Sequence, residues 1–216
     1  MLFGLGNLKL LLLRLPIVLL AITVHECAHG YTAYLLGDHT AKSYGRLSLN
    51  PMHHMDWIGA VCMLVFGFGW AKPVPVNPQY FRNPKRGMSL VGLAGPLSNF
   101  ILALIFTILY ALLTRFFRRS DFFLVTFFSA LFHTGILLNI GLGIFNLIPF
   151  PPLDGSKILA CFLPNRIYFK LMQYERYVMP ALFLLLFLGI LDIPLNFLTN
   201  VMLSVYQILF NLIVGA

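Results

Sequence analysis

The sequence predicts an all-α polytopic membrane protein of about five transmembrane helices, with a short β or re-entrant region between the first and the second. Composition is the first reason: 59% of the 216 residues are hydrophobic and 10% are charged. The mean hydropathy of +0.86 lies far outside the range of water-soluble domains. The second reason is spacing. Apolar residues gather near 8–36, 88–114, 122–148, 177–193 and 195–214, in runs close to the ~20 residues a helix needs to cross the hydrocarbon core. A bilayer offers no water to unpaired backbone groups, so such runs fold as helices.

The first run continues into histidine-bearing sequence with no small-residue cleavage site after it, which predicts a retained helix rather than a removable signal. The region 37–87 differs from the others. Its apolar run from Ile58 to Trp70 has 13 residues, too few to span as a helix. Pro73, Pro75 and Pro78 then forbid helix and favour extended backbone, so this block reads as strands or a re-entrant hairpin. The fourth run barely reaches spanning length. The whole reads as one membrane-embedded domain over 1–216, with a core at about 8–160 and C-terminal membrane helices at about 177–214.

The net charge of +8 does not imply nucleic acid, because the basic residues stand at the ends of apolar runs rather than in one patch. Lys42, Arg46, Lys72, Arg82, Lys85 and Arg86 in 37–87, with Lys157, Arg166, Lys170 and Arg176 in 154–176, make ten on one side. Lys9, Arg14, Arg115, Arg118 and Arg119 make five on the other. The positive-inside rule places the first group in the cytoplasm, although the Arg115 to Arg119 loop pulls the other way. Cys27, Cys62 and Cys161 are odd in number and scattered, so they support neither a disulfide framework nor a thiolate metal site.

His25, Glu26 and His29 stand in the segment His25-Glu26-Cys27-Ala28-His29 within the first run. Four residues advance a helix about 40° beyond one turn, so both imidazoles face one way and can reach one Zn²⁺. Glu26 can then act as general base on the water that the metal acidifies. Ionisable groups in lipid-length sequence are costly and mark functional sites. A catalytic zinc takes a third protein ligand and keeps one open position. Of the remaining acidic residues Asp154 is best placed, after the helix-breaking prolines of 146–155 and before Gly155, which would ease a turn. An ordinary helix stop with a capping aspartate is the competing reading.

Asn99, deeper in the second run, is a candidate for hydrogen bonds to the catalytic helices, while Gly95 reads as a packing glycine. His53, His54 and Asp56 form a second cluster that more simply makes local hydrogen bonds at the membrane interface. His133 reads as a packing histidine and His39 as a surface one. A di-iron membrane oxygenase would need more histidine pairs than the six histidines supply. A metal-ion transporter would be expected to show an inverted repeat, which is not visible.

Three segments together resemble the signatures of the site-2 protease family of intramembrane metalloproteases. They are the H-E-C-A-H motif, Gly95-Pro96-Leu97-Ser98-Asn99, and Asn146 through Gly155. Leu49-Asn50-Pro51 with His54, Asp56 and Gly59, and the stretch from Ala71 to Pro78, are similar to segments of its small bacterial and archaeal members. The resemblance implies His25, His29 and Asp154 as ligands of one zinc ion, Glu26 as general base, and Asn146 as a group that positions substrate or stabilises the oxyanion. It implies that His54 and Asp56 support the active-site side of their loop. It further implies regulated intramembrane proteolysis of transmembrane protein substrates in the bilayer of a prokaryotic plasma membrane, with the active site towards the cytoplasm. Many family members carry a helix before the H-E-x-x-H helix, and many bacterial ones a PDZ domain. With 24 residues before His25 the preceding helix is not expected here, and no PDZ domain is expected because none fits within the 216 residues.

Overall fold

The computed structural model describes residues 8–56, 59, 71–117, 122–164, 166–167 and 175–215. Seven helices are described: α1 (Leu8–Leu35), the short α2 (Thr40–Ser43), α3 (Pro84–Phe117), α4 (Phe123–Asn146), α5 (Asp154–Ala160), α6 (Glu175–Phe187) and α7 (Asp192–Val214). Four of them, α1, α3, α4 and α7, are long and apolar enough to cross a membrane. The chain is a multi-pass integral membrane protein, and its many exposed leucines and phenylalanines suit a lipid-facing surface.

Five spans are expected from sequence, and the fourth is the one that the described residues do not confirm. The run 177–193 yields α6, whose 13 residues extend only about 20 Å at ~1.5 Å per residue. The chain then turns, with Gly189 at φ +70, before α7 begins. No strand occurs among the described residues. The expected β or re-entrant region is represented by one isolated antiparallel bridge, Met55 to Ala71, and by the non-helical segment 72–77. The apolar run Ile58 to Trp70 lies, Gly59 apart, outside the described residues.

α3 is the central helix and packs on α1, α4, α5 and α7. Its buried stripe recurs every four residues: Gly87, Val91, Gly95, Asn99, Ala103, Thr107 and Ala111. Small side chains on such a ridge let neighbouring backbones approach closely, which is how helices associate in lipid. α4 answers with Gly135, Asn139 and Gly143 on one ridge and Ile136, Ile140 and Ile144 on the next. Ala103 and Phe106 of α3 pack with those isoleucines and with Tyr206 of α7, whose hydroxyl donates to the Phe100 carbonyl at 2.9 Å.

Candidate metal centre

His25 and His29 turn to the same side of α1, with ring centroids 4.6 Å apart and planes edge to face. Both rings are buried, and so is Asp154. Asp154 Oδ2 lies 3.0 Å from His25 Nε2 and 3.1 Å from His29 Nε2, and the two Nε2 atoms are 3.0 Å apart. The partners on the far side of each ring decide where the protons sit. His29 Nδ1–H donates to the Val91 carbonyl at 2.6 Å. A carbonyl can only accept, so the neutral ring presents a bare lone pair at Nε2. His25 Nδ1 faces Asn99 Oδ1 at 2.6 Å, with the same consequence.

Three electron-pair donors therefore meet with no hydrogen between them, and Asp154 Oδ2 is buried without a hydrogen-bond partner. Such a cluster repels itself unless a cation lies within it. Bonds of ~2.0–2.1 Å in a tetrahedron give ligand separations of about 3.3 Å, close to those found. Two imidazoles and a carboxylate are a donor set that zinc takes in catalytic sites, with a fourth position left open. The three residues fit a zinc ion and form a group that could hold one.

Neighbouring helices shape this cluster. A Cβ placed on Gly95 would lie 2.5–2.6 Å from ring atoms of both histidines, so the bare backbone of α3 forms the floor beneath them. Asp154 arrives from the other side, where α4 has stopped at Asn146 and α5 starts on Asp154 itself. The N-cap of α5 is Leu153, so the capping role that sequence left open for Asp154 is not the one adopted. Its Oδ1 instead takes an ion pair from Lys157 Nζ at 2.8 Å. Burial opposes ionisation of Asp154, and the Lys157 ammonium on Oδ1 favours it. Gly155 serves by close approach rather than by easing a turn. Its φ is not positive, and a side chain there would collide with the Leu147 and Ile148 carbonyls.

A cavity of about 300 Å³ opens beside the cluster and is lined in part by Glu26, Val74, Asn146 and Lys157. Glu26 Oε2 accepts the Val74 backbone N–H at 2.9 Å. Asn146 Nδ2 donates to the Leu142 carbonyl within its own helix at 2.9 Å.

Comparison with known proteins identifies the family. The model of peptidase family M50 matches residues 116–189, which include Asn146 and Asp154. A Bacillus subtilis protein named "Putative zinc metalloprotease YwhC" is 43% identical over 160 residues, covering 74% of this chain and 73% of that one. The chain belongs to peptidase family M50, the site-2 protease family of zinc metallo-endopeptidases. Zinc metalloprotease MJ0392 of Methanocaldococcus jannaschii is 30% identical over 155 residues, 69% of this chain and 34% of that one. Rip2 of Mycolicibacterium smegmatis, with the same designation as YwhC, is 34% identical over 149 residues, 65% and 53% of the two chains. No solved structure matches the chain.

In this M50 chain His25, Glu26, His29, Asn146 and Asp154 line one cavity. Asn99 stands behind His25 instead. His54 and Asp56 are not among the lining residues. His54 is buried and donates from Nε2 to the Ser48 carbonyl at 2.7 Å, and its own carbonyl receives Lys72 N–H at 2.9 Å. Asp56 Oδ1 accepts from Gly59 N–H at 2.9 Å. The His54 carbonyl thus ties down the start of the segment that leads to Val74, while the Asp56 bond is local. His53 is exposed and donates to the Gly45 carbonyl at 3.0 Å, and His133 is exposed beside Tyr110.

Sequence reasoning passed over three groups. Lys157 was weighed only as a topological charge, although its i,i+3 spacing from Asp154 was a usable signal. Asp38, fully buried, binds the backbone N–H groups of Thr40 and Asn77. The Val74 N–H on Glu26 has no signature in sequence, because a backbone donor is common to every residue but proline.

Proposed function

We propose that this chain is an intramembrane zinc metallo-endopeptidase that hydrolyses a peptide bond within or near the transmembrane helix of a membrane-protein substrate. We place it in regulated intramembrane proteolysis in a prokaryotic plasma membrane, with its active site towards the cytoplasm. The observation that carries this reading is the convergence of His25, His29 and Asp154 beside a cavity that Glu26 also lines, on helices of lipid-spanning length. The orientation rests on the lysine and arginine count.

Zinc, when held by His25, His29 and Asp154, supplies Lewis acidity that polarises a carbonyl and acidifies water. Glu26 takes a proton on its carboxylate from the attacking water and returns it to the leaving amine, the two halves of general acid–base catalysis. Asn146, which also lines the cavity, offers its amide to the substrate as a positioning or oxyanion-stabilising donor. Lys157 holds Asp154 Oδ1, which leaves Oδ2 facing the two Nε2 atoms as the oxygen that would bind the ion.

The test is reconstitution of the full chain with tagged single-span membrane proteins, comparing wild type with Glu26→Gln. Wild type should release a fragment cut within or beside the span, and Glu26→Gln should release none while binding as much zinc. Equal cleavage by Glu26→Gln would overturn the assignment of the base. Zinc transport across the bilayer, with no fragment from any substrate, would overturn the protease reading in favour of a metal-conducting protein.

A further inference from the structure

Behind His25 a chain of buried amides runs away from the metal centre. Asn99 and Asn139 are each 0% exposed and belong to different helices, α3 and α4. Asn139 Nδ2 donates to the Gly135 carbonyl at 2.8 Å, and Asn139 Oδ1 accepts from Asn99 Nδ2 at 3.0 Å. Asn99 Nδ2 also reaches the Ala21 carbonyl at 3.3 Å. Asn99 Oδ1 then faces His25 Nδ1 at 2.6 Å.

Only one arrangement of these groups satisfies every member. Carbonyls accept and never donate. Turning over the Asn139 amide would set its oxygen against the Gly135 carbonyl and its NH₂ against that of Asn99. Turning over Asn99 would set its oxygen against Asn139 Oδ1 and the Ala21 carbonyl. Water cannot repair such a mismatch in the lipid-depth core of the bundle, so the buried donors and acceptors must pair with one another. The direction of the chain is therefore set at two backbone carbonyls, that of Gly135 in α4 acting through Asn139 and, at the longer distance, that of Ala21 in α1, and is transmitted to the imidazole.

We infer that Asn139 is a positioning residue for the metal centre: through Asn99 it fixes His25 as the Nδ1–H tautomer, with the Nε2 lone pair aimed at the ion. Asn139 touches neither the cluster nor the cavity, and acts only by denying Asn99 its other orientation. Hydrogen-bond partners of this kind set tautomer and ring orientation in metal-binding histidines. His29 needs no such relay, because its Nδ1–H meets the Val91 carbonyl directly. The two histidines of one helix are thus oriented by different means, one by backbone and one by a two-asparagine relay.

The inference rests on His25 being a metal ligand but not on peptide cleavage, so its test reads neither substrate nor turnover. The full-length chain in detergent micelles is labelled with ¹⁵N-histidine, and imidazole signals are recorded with and without zinc, alongside zinc affinity by chelator competition. Wild type should show His25 as Nδ1–H alone in both states. Asn139→Leu deletes both amide bonds and should bring a mixture of His25 tautomers and about tenfold weaker zinc binding, the range expected for outer partners of metal ligands. Asn139→Asp, kept neutral by burial in the apolar core, can accept from Asn99 and donate to the Gly135 carbonyl, and should restore both readouts. An Nε2–H tautomer in wild type would overturn the inference, as would folded Asn139→Leu with wild-type affinity and a single tautomer. If Asn139→Leu does not fold, the wild-type tautomer and Asn139→Asp decide. Wild-type tautomer and affinity in Asn139→Asp support the relay, and a tautomer mixture there overturns it. Wild type that shows the Nδ1–H tautomer yet binds no zinc would sink the metal reading and leave the relay standing.

Discussion

Beneath His25 and His29 the cavity is walled by helices tied to the rings from below, whereas over Glu26 it is bordered by an irregular segment tied down through its backbone. In the floor, Asn99 and the Val91 carbonyl hold the two imidazoles and Gly95 admits the α3 backbone against them. In the border, Pro73 and Pro75 have no N–H to give. Val74 N–H goes to Glu26 at 2.9 Å and Asn77 N–H to Asp38 Oδ2 at 2.6 Å. On the proposed function, metal binding and placement of the base rest on separate sets of bonds, so substitutions should separate them.

The largest effect is expected in the floor. Gly95→Ala puts a methyl group into the space of both rings, and α3 cannot retreat without opening its ridge contacts with α1 and α4. Zinc affinity should fall about 100-fold, the upper end for lost ligand orientation, and cleavage should fall with it. Chelator competition on the purified chain measures this directly. Affinity within twofold of wild type would break the comparison, because the floor would then be pliable.

The floor was also the more legible half. The i,i+4 pair His25 and His29 needs only helical geometry to share a face, and the proline-broken end of α4 made Asp154 the best-placed third ligand. Asn99 was readable as a polar group that bonds to the catalytic helices, though not to which of them, because an amide deep in a span must find a partner. Asn139 passed unnoticed, since its bonds depend on the register of α3 against α4, which one sequence does not give. The fourth span is not confirmed, because hydropathy measures composition and not where the chain turns, and Gly189 lies inside that run. The border was barely legible. Its prolines announced extended backbone, but which carboxylate would receive which N–H depends on how the loop folds back over α1.

A middle-sized effect is expected from Val74→Pro, which removes the N–H that Glu26 accepts and suits a segment already rich in proline. Cleavage should fall about tenfold, matching the loss of one hydrogen bond to a charged group at ~1.5 kcal/mol. Zinc affinity should stay within twofold. That pairing of readouts sharpens the comparison, because a parallel loss of zinc would show that the border also holds the floor.

The smallest effect on cleavage is expected at Asp38, which anchors the other end of the same segment. Its Oδ1 accepts from Thr40 and its Oδ2 from Asn77. Asparagine offers a single oxygen, so Asp38→Asn turns an NH₂ towards one of these donors and leaves a buried N–H unpaired, at a cost of about 1–3 kcal/mol. Burial of Asp38 opposes its ionisation, but the hydrogen bonds from Thr40 and Asn77 prevail and hold its carboxyl below the usual value. A carboxylate lowered on folding stabilises the fold fully above its unfolded pKa of about 3.9, and that contribution is lost as pH falls through the folded value. The stability gap between wild type and Asp38→Asn, read from thermal unfolding in detergent, should therefore be constant above about pH 5 and narrow below pH 4. Zinc affinity should be unchanged throughout. A gap independent of pH would mean that Asp38 holds the segment by shape alone, and the border would then owe its placement to packing rather than to charge.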